Sequence, residues 1–288
     1  MSEMSEMQIK PQEYLPFSVS MCVYERDNPE WFKMAIDSIL RQTLSANEIV
    51  LVIDGPVTKE LDVIISKYEK NPIFKIVRLE TNQGHGNARR VGLQACTYDL
   101  VALMDADDIS LPDRFEKQIR RFQDNPDLSV VGGNIAEFIE NEENVVGYRL
   151  VPEKQEDIEI YLKKRCPFNQ VAVIFRKSDV QSVGGYIDWY CEEDYYLWLR
   201  MYLAKMKFCN ISDILVNVRV GEDMYRRRGG WKYFKSEAKL QKYMWKNKII
   251  GFGTYVMNVT KRFIVQVLLP NKIRGWVFKK FARKSIKE

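Results

Sequence analysis

Four short, mostly apolar runs alternate with stretches of helical spacing between Phe17 and Met104, and this rhythm restricts the fold more than any other feature of the chain. The runs are Phe17 to Tyr24, Glu48 to Asp54, Phe74 to Leu79 and Leu100 to Met104. Each has the length and character of a buried strand. After the first, Asn28-Pro29 reads as an N-cap followed by proline in the first helical turn, with Phe32, Ile36, Ile39 and Leu40 behind it at helical spacing. Further helices are predicted from about Lys59 to Lys70, and through Ala88, Val91 and Ala95 after the turn at Asn82-Gln83-Gly84. Strands alternating with helices imply a Rossmann-like α/β fold, with a mostly parallel sheet flanked by helices on both faces.

In such sheets ligands bind beyond the carboxyl ends of the strands. Tyr24, Asp54 and Asp105 all fall at those ends, and their convergence marks a site. The fourth strand runs directly into Asp105-Ala106-Asp107-Asp108. Two acids separated by one small residue suit a hard cation that takes oxygen ligands, Mn²⁺ or Mg²⁺, shared with substrate phosphates. Such an ion neutralises charge on a departing diphosphate. An acidic turn leading into the next helix is the plainer reading of the same residues. That helix is expected to begin with a capping-box-like start at Ser110-Leu111-Pro112-Asp113, with Phe115, Ile119 and Phe122 as its apolar stripe.

Charge is distributed unevenly. From Tyr225 to Glu288 there are 18 Lys or Arg against two acids, giving that segment +16 and the first 224 residues −11 within a total of +5. The basic segment is also rich in aromatic residues, and no apolar run in it reaches the roughly 20 residues needed to span a bilayer. It is read as a helical extension lying on an anionic membrane surface, where each Lys or Arg contributes on the order of 1 kcal/mol. A solvated helical face is the alternative, and no nucleic-acid reader motif accompanies the charge. Five cysteines without CxxC spacing argue against a disulfide framework or zinc site and fit a reducing compartment. The polar, acidic residues 1–16 carry no secretory signal pattern. The expected location is therefore cytoplasmic, peripheral on the inner face of the cell membrane.

Four segments occur in order: Ser18 to Tyr24, Ala35 to Thr43, Asn82-Gln83-Gly84 with Ala88-Arg89, and Met104-Asp105-Ala106-Asp107-Asp108. Together they resemble glycosyltransferase family 2, over about Phe17 to Arg219. The resemblance implies the GT-A fold and inverting transfer of a sugar from a nucleotide diphosphate donor, usually a UDP-sugar. By the same resemblance Tyr24, Glu25 and Asp54 would hold the nucleotide base, and Arg89 would neighbour the donor phosphates. Asp105 and Ala106 would lie on the ribose side, and Asp107 would ligate the metal. Apart from the resemblance, Asp54 could simply open a turn with Gly55-Pro56, and Arg89 could be a surface charge. Residues 1–16 are then an N-terminal tail, 17–220 the catalytic domain with a nucleotide-sugar half to about 110 and an acceptor half from 111, and 221–288 the basic extension.

An inverting displacement needs a base opposite the leaving group. Glu192-Glu193-Asp194 stands at a helix start before Tyr195, Trp198 and Met201, and resembles the family's Glu-Asp element. Asp194 is assigned as base and Glu193 as its support, with mutual repulsion raising one carboxyl's pKa. Acids at a helix N-terminus also need no catalytic reason. Gly184-Gly185-Tyr186 resembles the loop beneath the acceptor, Asn169-Gln170 stands where relatives carry Asn-His, and Arg219 to Gly230 resembles a donor-covering segment. The single histidine, His85, is expected to play an incidental polar role.

The expected acceptor is a saccharide or lipid-linked oligosaccharide of capsule, exopolysaccharide or O-antigen synthesis. A dinucleotide oxidoreductase would need a complete GxGxxG, which Gly84 to Arg89 lacks. A sugar nucleotidyltransferase would need a glycine-rich, lysine-bearing loop where Glu25-Arg26-Asp27-Asn28 stands, and a non-enzymatic membrane adaptor leaves the aligned acids without a purpose.

Overall fold

The computed structural model describes residues 14–221 and 229–269. Most of the segment expected to cover the donor, residues 222–228, and the C-terminal segment beyond residue 269 lie outside the described residues. The catalytic fold comprises β1 (Phe17–Val23), α1 (Pro29–Leu40), β2 (Glu48–Ile53), α2 (Lys59–Tyr68), β3 (Phe74–Arg78), α3 (His85–Ala95) and β4 (Leu100–Met104). It continues through β5 (Ile109–Ser110), α4 (Arg114–Asp124), β6 (Leu128–Phe138), β7 (Val145–Arg149) and α5 (Gln155–Leu162). Then come β8 (Ile174–Arg176), α6 (Lys177–Ser182), α7 (Glu193–Leu203) and β9 (Lys207–Arg219). Two further helices follow, α8 (Trp231–Lys246) and α9 (Phe252–Phe263).

The sheet runs β3-β2-β1-β4-β8-β6-β9-β5, with β7 added on β6. Its first four strands are parallel, as the alternation predicts. Past β4 it becomes mixed: β8 is antiparallel to β4 and β6, while β9 runs parallel to β6. Successive residues of β2 serve opposite faces. Ile49, Leu51 and Ile53 pack with α1, α2 and α4, whereas Val50 and Val52 pack with α3, α7 and α8. Cover on both sides explains why the runs are apolar throughout.

Two local details position the site. Asn28 Oδ1 accepts from the amides of Glu30 (2.9 Å) and Trp31 (3.2 Å), and Pro29 follows, so α1 starts as its sequence predicts. Helix α4 starts later than the Ser110 capping pattern implies. Ser110 is held in the two-residue β5 against β9 instead, and its amide donates to Ser38 Oγ at 3.0 Å. Asp113 stands at the N-cap position without a capping hydrogen bond and pairs with Lys117 at 2.7 Å.

Candidate active site

The chain reverses its direction across the sheet between β1 and β4, which are neighbours with Met21 opposite Met104. The loops after these two strands therefore lie side by side. Asp105, Ala106, Asp107 and Asp108 leave β4; Tyr24, Glu25 and Asp27 leave β1. Asp27 closes the β1 loop, with Oδ2 accepting from the Tyr24 amide at 2.9 Å. Burial, with Asp107 and Asp105 nearby, pushes the Asp27 carboxyl up to about 7. Tyr24 is exposed, and Glu25 is a solvent-facing acid 3.9 Å from Arg26. Ala106 is buried, where a larger side chain would displace its neighbours.

Asp108 turns inward. Its Oδ1 accepts from the Arg219 amide at 2.9 Å, and burial together with Asp107 and Asp105 raises its pKa well above the usual carboxylate range. Arg219 Nε reaches the carbonyl of Asp107 at 3.2 Å, while its guanidinium lies 4.5 Å from the Trp31 ring and 4.6 Å from that of Phe138. The end of β9 is thereby clamped to the acidic loop. Asp27, Asp105, Asp107 and Asp108 are crowded together, which helps to hold the Asp27 and Asp108 carboxyls above the usual range, and a hard dication would favour their ionised forms. Among the described residues no group of three His, Cys, Asp or Glu is arranged to hold a metal. An ion shared between one or two of these carboxylates and substrate phosphates would need no such group.

Arg89 is buried, unlike a surface helix charge. Its Nη2 pairs with Asp105 Oδ1, its Nε donates to His85 Nε2 at 2.9 Å, and Nη1 lies 3.5 Å from the carbonyl of Ser20. Burial opposes its charge, but Asp105 and other neighbouring groups hold its pKa above the ordinary value. His85, expected to play an incidental polar role, has its Nδ1 4.0 Å from Glu193 Oε1 and stands between Arg89 and Glu193. Asp54 is buried, and its carboxylate accepts from the amides of Gln83 (2.7 Å) and Gly84 (3.0 Å). It thus anchors the start of α3, the helix that carries Arg89. Gly55 beside it has φ +86°, and a Cβ there would stand 2.6 Å from the Asn82 amide nitrogen.

The two acids assigned at α7 diverge. Glu193 faces His85, and its carboxyl is pushed up to about 7 by burial and then by Asp194. Asp194 accepts from the Tyr195 amide at 2.6 Å through Oδ1, and its Oδ2 lies 3.8 Å from the Cys166 thiol that donates to it. Glu192 is buried, and burial with Glu237 and Asp194 raises its carboxyl well above the usual range. Arg200, two turns along α7, holds the Gly184-Gly185 loop by donating to the carbonyls of Val183 and Gly185 (2.6 Å). Asn169 is buried and donates to Gly133 O at 2.8 Å and Arg149 O at 3.2 Å.

Sequence reasoning missed Asp27 and Arg114. Arg114 lies beneath the acidic loop, donating from Nη2 to Leu103 O at 2.8 Å and from Nε to Gln118 Oε1 at 3.1 Å. Burial lowers its pKa to about 9, against the opposing pull of Asp105 and Asp108. An arginine at the start of an amphipathic helix, directly after the Asp-rich turn, was the available signal.

Known proteins resemble this arrangement along the whole described catalytic fold. The model of glycosyl transferase family 2 matches residues 18–181, and that of glycosyl transferase family group 2 matches 100–278. The amylovoran biosynthesis glycosyltransferase AmsE of Erwinia amylovora is 37% identical over 92% of this chain and 98% of its own length. An Escherichia coli protein, UDP-Gal:alpha-D-GlcNAc-diphosphoundecaprenol beta-1,3-galactosyltransferase, is 35% identical over 94% of this chain and 98% of its own. Among solved structures, the mannosyltransferase PcManGT of Pyrobaculum calidifontis, in complex with GDP-Man and Mn²⁺, superposes with a TM-score of 0.60. It is 14% identical, and the match covers 92% of this chain and 75% of that one, a likeness of fold. With a family model spanning more than half of its residues and such relatives along nearly its full length, the chain belongs to glycosyl transferase family 2 and has the GT-A fold.

Proposed function

We propose that the protein transfers a hexose or N-acetylhexosamine from a UDP-sugar to a polyprenyl-diphosphate-linked saccharide, with inversion, in the synthesis of a cell-surface polysaccharide. One observation carries this reading. Arg89 joins Asp105 of the acidic loop directly and reaches toward Glu193 through His85, which links the loop after β4 to the start of α7. The names of the two relatives, one of amylovoran biosynthesis and one acting on a diphosphoundecaprenol acceptor, support the acceptor class.

Tyr24, Glu25 and Asp54 form the nucleotide end in this reading, with Asp105 and Ala106 beside the ribose and Arg89 near the phosphates. Asp107 would hold a divalent cation, Mn²⁺ or Mg²⁺, which when bound supplies positive charge to the leaving diphosphate. Asp194 takes the proton from the acceptor hydroxyl as its oxygen attacks the anomeric carbon, and the bond from that carbon to the UDP oxygen breaks on the opposite face. Glu193 supports Asp194 by holding the local charge and by fixing His85. No described helix is long and apolar enough to cross a membrane. The C-terminal segment would seat the enzyme peripherally on the cytoplasmic face of the membrane, where such acceptors are anchored.

The test is transfer from a panel of UDP-sugars to lipid-linked acceptors, read by mass spectrometry, for the wild type and Asp194→Asn. The variant is expected to lose about 10²–10⁴-fold in turnover while still binding UDP. Retained turnover refutes the assignment of Asp194.

A further inference from the structure

Helices α8 and α9 form a hairpin, and aromatic contacts fix how the two lie. Trp245 stacks on Tyr255 with ring centroids 5.3 Å apart and meets Phe252 at 5.5 Å. At the other end Trp231 and Phe234 meet Phe263 at 6.1 and 5.4 Å. The end of α8 therefore lies beside the start of α9, and the helices run antiparallel. Between these ends Asn258 Nδ2 donates to Gln241 Oε1 at 2.9 Å, and Arg262 Nε pairs with Glu237 at 3.0 Å. These contacts mark the facing edges of the two helices.

The outer side of the hairpin carries two chemistries. On α8, Lys232, Lys235, Lys239 and Lys246 are exposed and fall within about 60° of one another around the helix axis. On α9, Phe252, Val256 and Met257 are exposed, and Ile264 and Leu268 extend their strip into the following turn, with exposures of 44–61%. Lys261 is exposed at the edge of the same strip. Each strip lies about a third of a turn from the facing edge, in the same rotational sense on two antiparallel helices. Both therefore look out from the same side. Glu237 is the only acid in the two helices, and Arg262 holds it on the facing edge, away from the lysines. The lysines also adjoin the loop before α7: Lys232 Nζ lies 4.0 Å from the centre of the Tyr190 ring, and Lys239 Nζ 4.0 Å from that of Trp189.

An occupant of this side must be anionic and must cover apolar groups beside the charge. A second copy of the chain would set lysine against lysine. Residues 270–288 of the chain itself carry seven Lys or Arg against one acid, the same sign as the lysines. A bilayer with anionic headgroups has both properties: its surface attracts lysine, and its acyl boundary takes apolar side chains to shallow depth. Trp231 and Trp245, 52% and 36% exposed, stand at the two ends of the hairpin, and their amphipathic rings suit the headgroup level.

We propose that this side of the α8–α9 hairpin docks on an anionic membrane, with the α8 lysines on headgroups and the α9 strip in the acyl boundary. Through Tyr190 and Trp189 the docked side adjoins the loop that leads to Asp194, which sets the proposed base close to the bilayer that holds a lipid-linked acceptor. The inference rests on the peripheral seating proposed above and names the surface that makes it.

Flotation of the full chain with vesicles that contain neither acceptor nor UDP-sugar tests it, so the outcome is independent of glycosyl transfer. One set is phosphatidylcholine alone, and a second contains phosphatidylglycerol. The wild type is expected to bind the anionic set at least about tenfold more tightly, with a part that survives salt high enough to screen surface charges. Lys235→Gln with Lys246→Gln is expected to lower affinity for the anionic set about 10–30-fold. Val256→Ser with Met257→Ser is expected to lower it about tenfold and to remove the salt-resistant part. All four side chains are exposed, and thermal melting verifies that each double variant is folded. Equal binding of the wild type to both sets, or binding to neither, overturns the proposal without recourse to a variant. Wild-type affinity retained in either double variant overturns it too and moves the membrane seat elsewhere on the chain, while transfer to lipid-linked acceptors is decided by its own assay.

Discussion

Arg89 Nε donates to His85 Nε2 across 2.9 Å, one turn apart on α3. An imidazole nitrogen that accepts cannot carry the proton, so His85 in this contact is neutral with its N–H on Nδ1, the side facing Glu193. One guanidinium thus serves Asp105 through Nη2 and His85 through Nε, two nitrogens of a rigid planar fork that a lysine ammonium does not reproduce. Arg89→Lys is expected to keep a charge but lose one of the two contacts. The cost should be about 1–3 kcal/mol of stability and roughly tenfold in UDP affinity. Thermal melting and calorimetric titration with UDP and Mn²⁺ measure both. A lysine variant with unchanged values would show that the fork geometry is dispensable.

Glu193 ties stability to pH. Its side chain is 14% exposed, and burial beside Asp194 pushes its carboxyl up to about 7, whereas an unfolded glutamate titrates near 4.5. Between those values the folded state binds the extra proton. The contribution of this group is therefore fully present below pH 4.5 and is lost as pH rises through 7. Glu193→Gln lacks the titration. Its stability relative to wild type should rise between pH 5 and pH 8, by on the order of 1–3 kcal/mol. Urea unfolding of both proteins across that range reads the difference, and parallel curves would remove Glu193 as the titrating group.

The parts of the site that follow from short-range pattern were legible in the sequence. The apolar runs mark β1, β2, β3 and β4, and Asp54 and Asp105 follow because a strand end fixes what comes next. Asp27 was not legible, because its place depends on β1 lying beside β4, a pairing of residues 83 apart that no local spacing encodes. The opposite directions taken by Glu193 and Asp194 were hidden for a related reason. Neighbours at a helix start point about 100° apart, and what each meets is set by α3 and by the Cys166 loop. The capping pattern at Ser110 misled because pairing with β9 outweighs a local helix signal.

Gly132 in β6 shows how closely the sheet is packed against the loop before Asn169. A Cβ there would stand 2.1 Å from Asn210 Oδ1 and 2.8 Å from the Phe168 ring. Neither neighbour can yield easily. Asn210 Nδ2 donates to Pro152 O (2.6 Å) and Pro167 O (3.2 Å), and buried Phe168 packs against Trp198 with ring centroids 5.1 Å apart. Gly132→Ala is expected to cost about 1–3 kcal/mol and to disturb the 166–169 loop that carries Cys166 to Asp194. Chemical denaturation measures the first effect. The rate of thiol modification at Cys166, faster in the variant, measures the second.

Helices α8 and α9 fall within the segment expected to be a basic extension, and the sequence did not show that α8 joins the core. Helix α8 buries Leu240 and Met244 among Val180, Trp198 and Leu199, and the following Ile249 and Ile250 are buried in the same cluster. Its Ser236 carbonyl lies 3.4 Å from the Trp189 indole nitrogen that donates to it, and its Ser236 hydroxyl donates to Tyr190 O at 2.6 Å. The helix therefore braces the loop that leads into Glu192, Glu193 and Asp194. Met244→Ala should cost about 2–5 kcal/mol, as expected for emptying a fully buried site. Lys242→Ala, on the exposed side of the same helix, should stay within about 0.5 kcal/mol. Because the braced loop carries the proposed base, Met244→Ala should also lower turnover at a temperature where the variant remains folded, whereas Lys242→Ala should not. Equal, small effects of both changes on urea midpoint and turnover would mean that α8 is an appendage, and that the acids of α7 are held in place by the sheet alone.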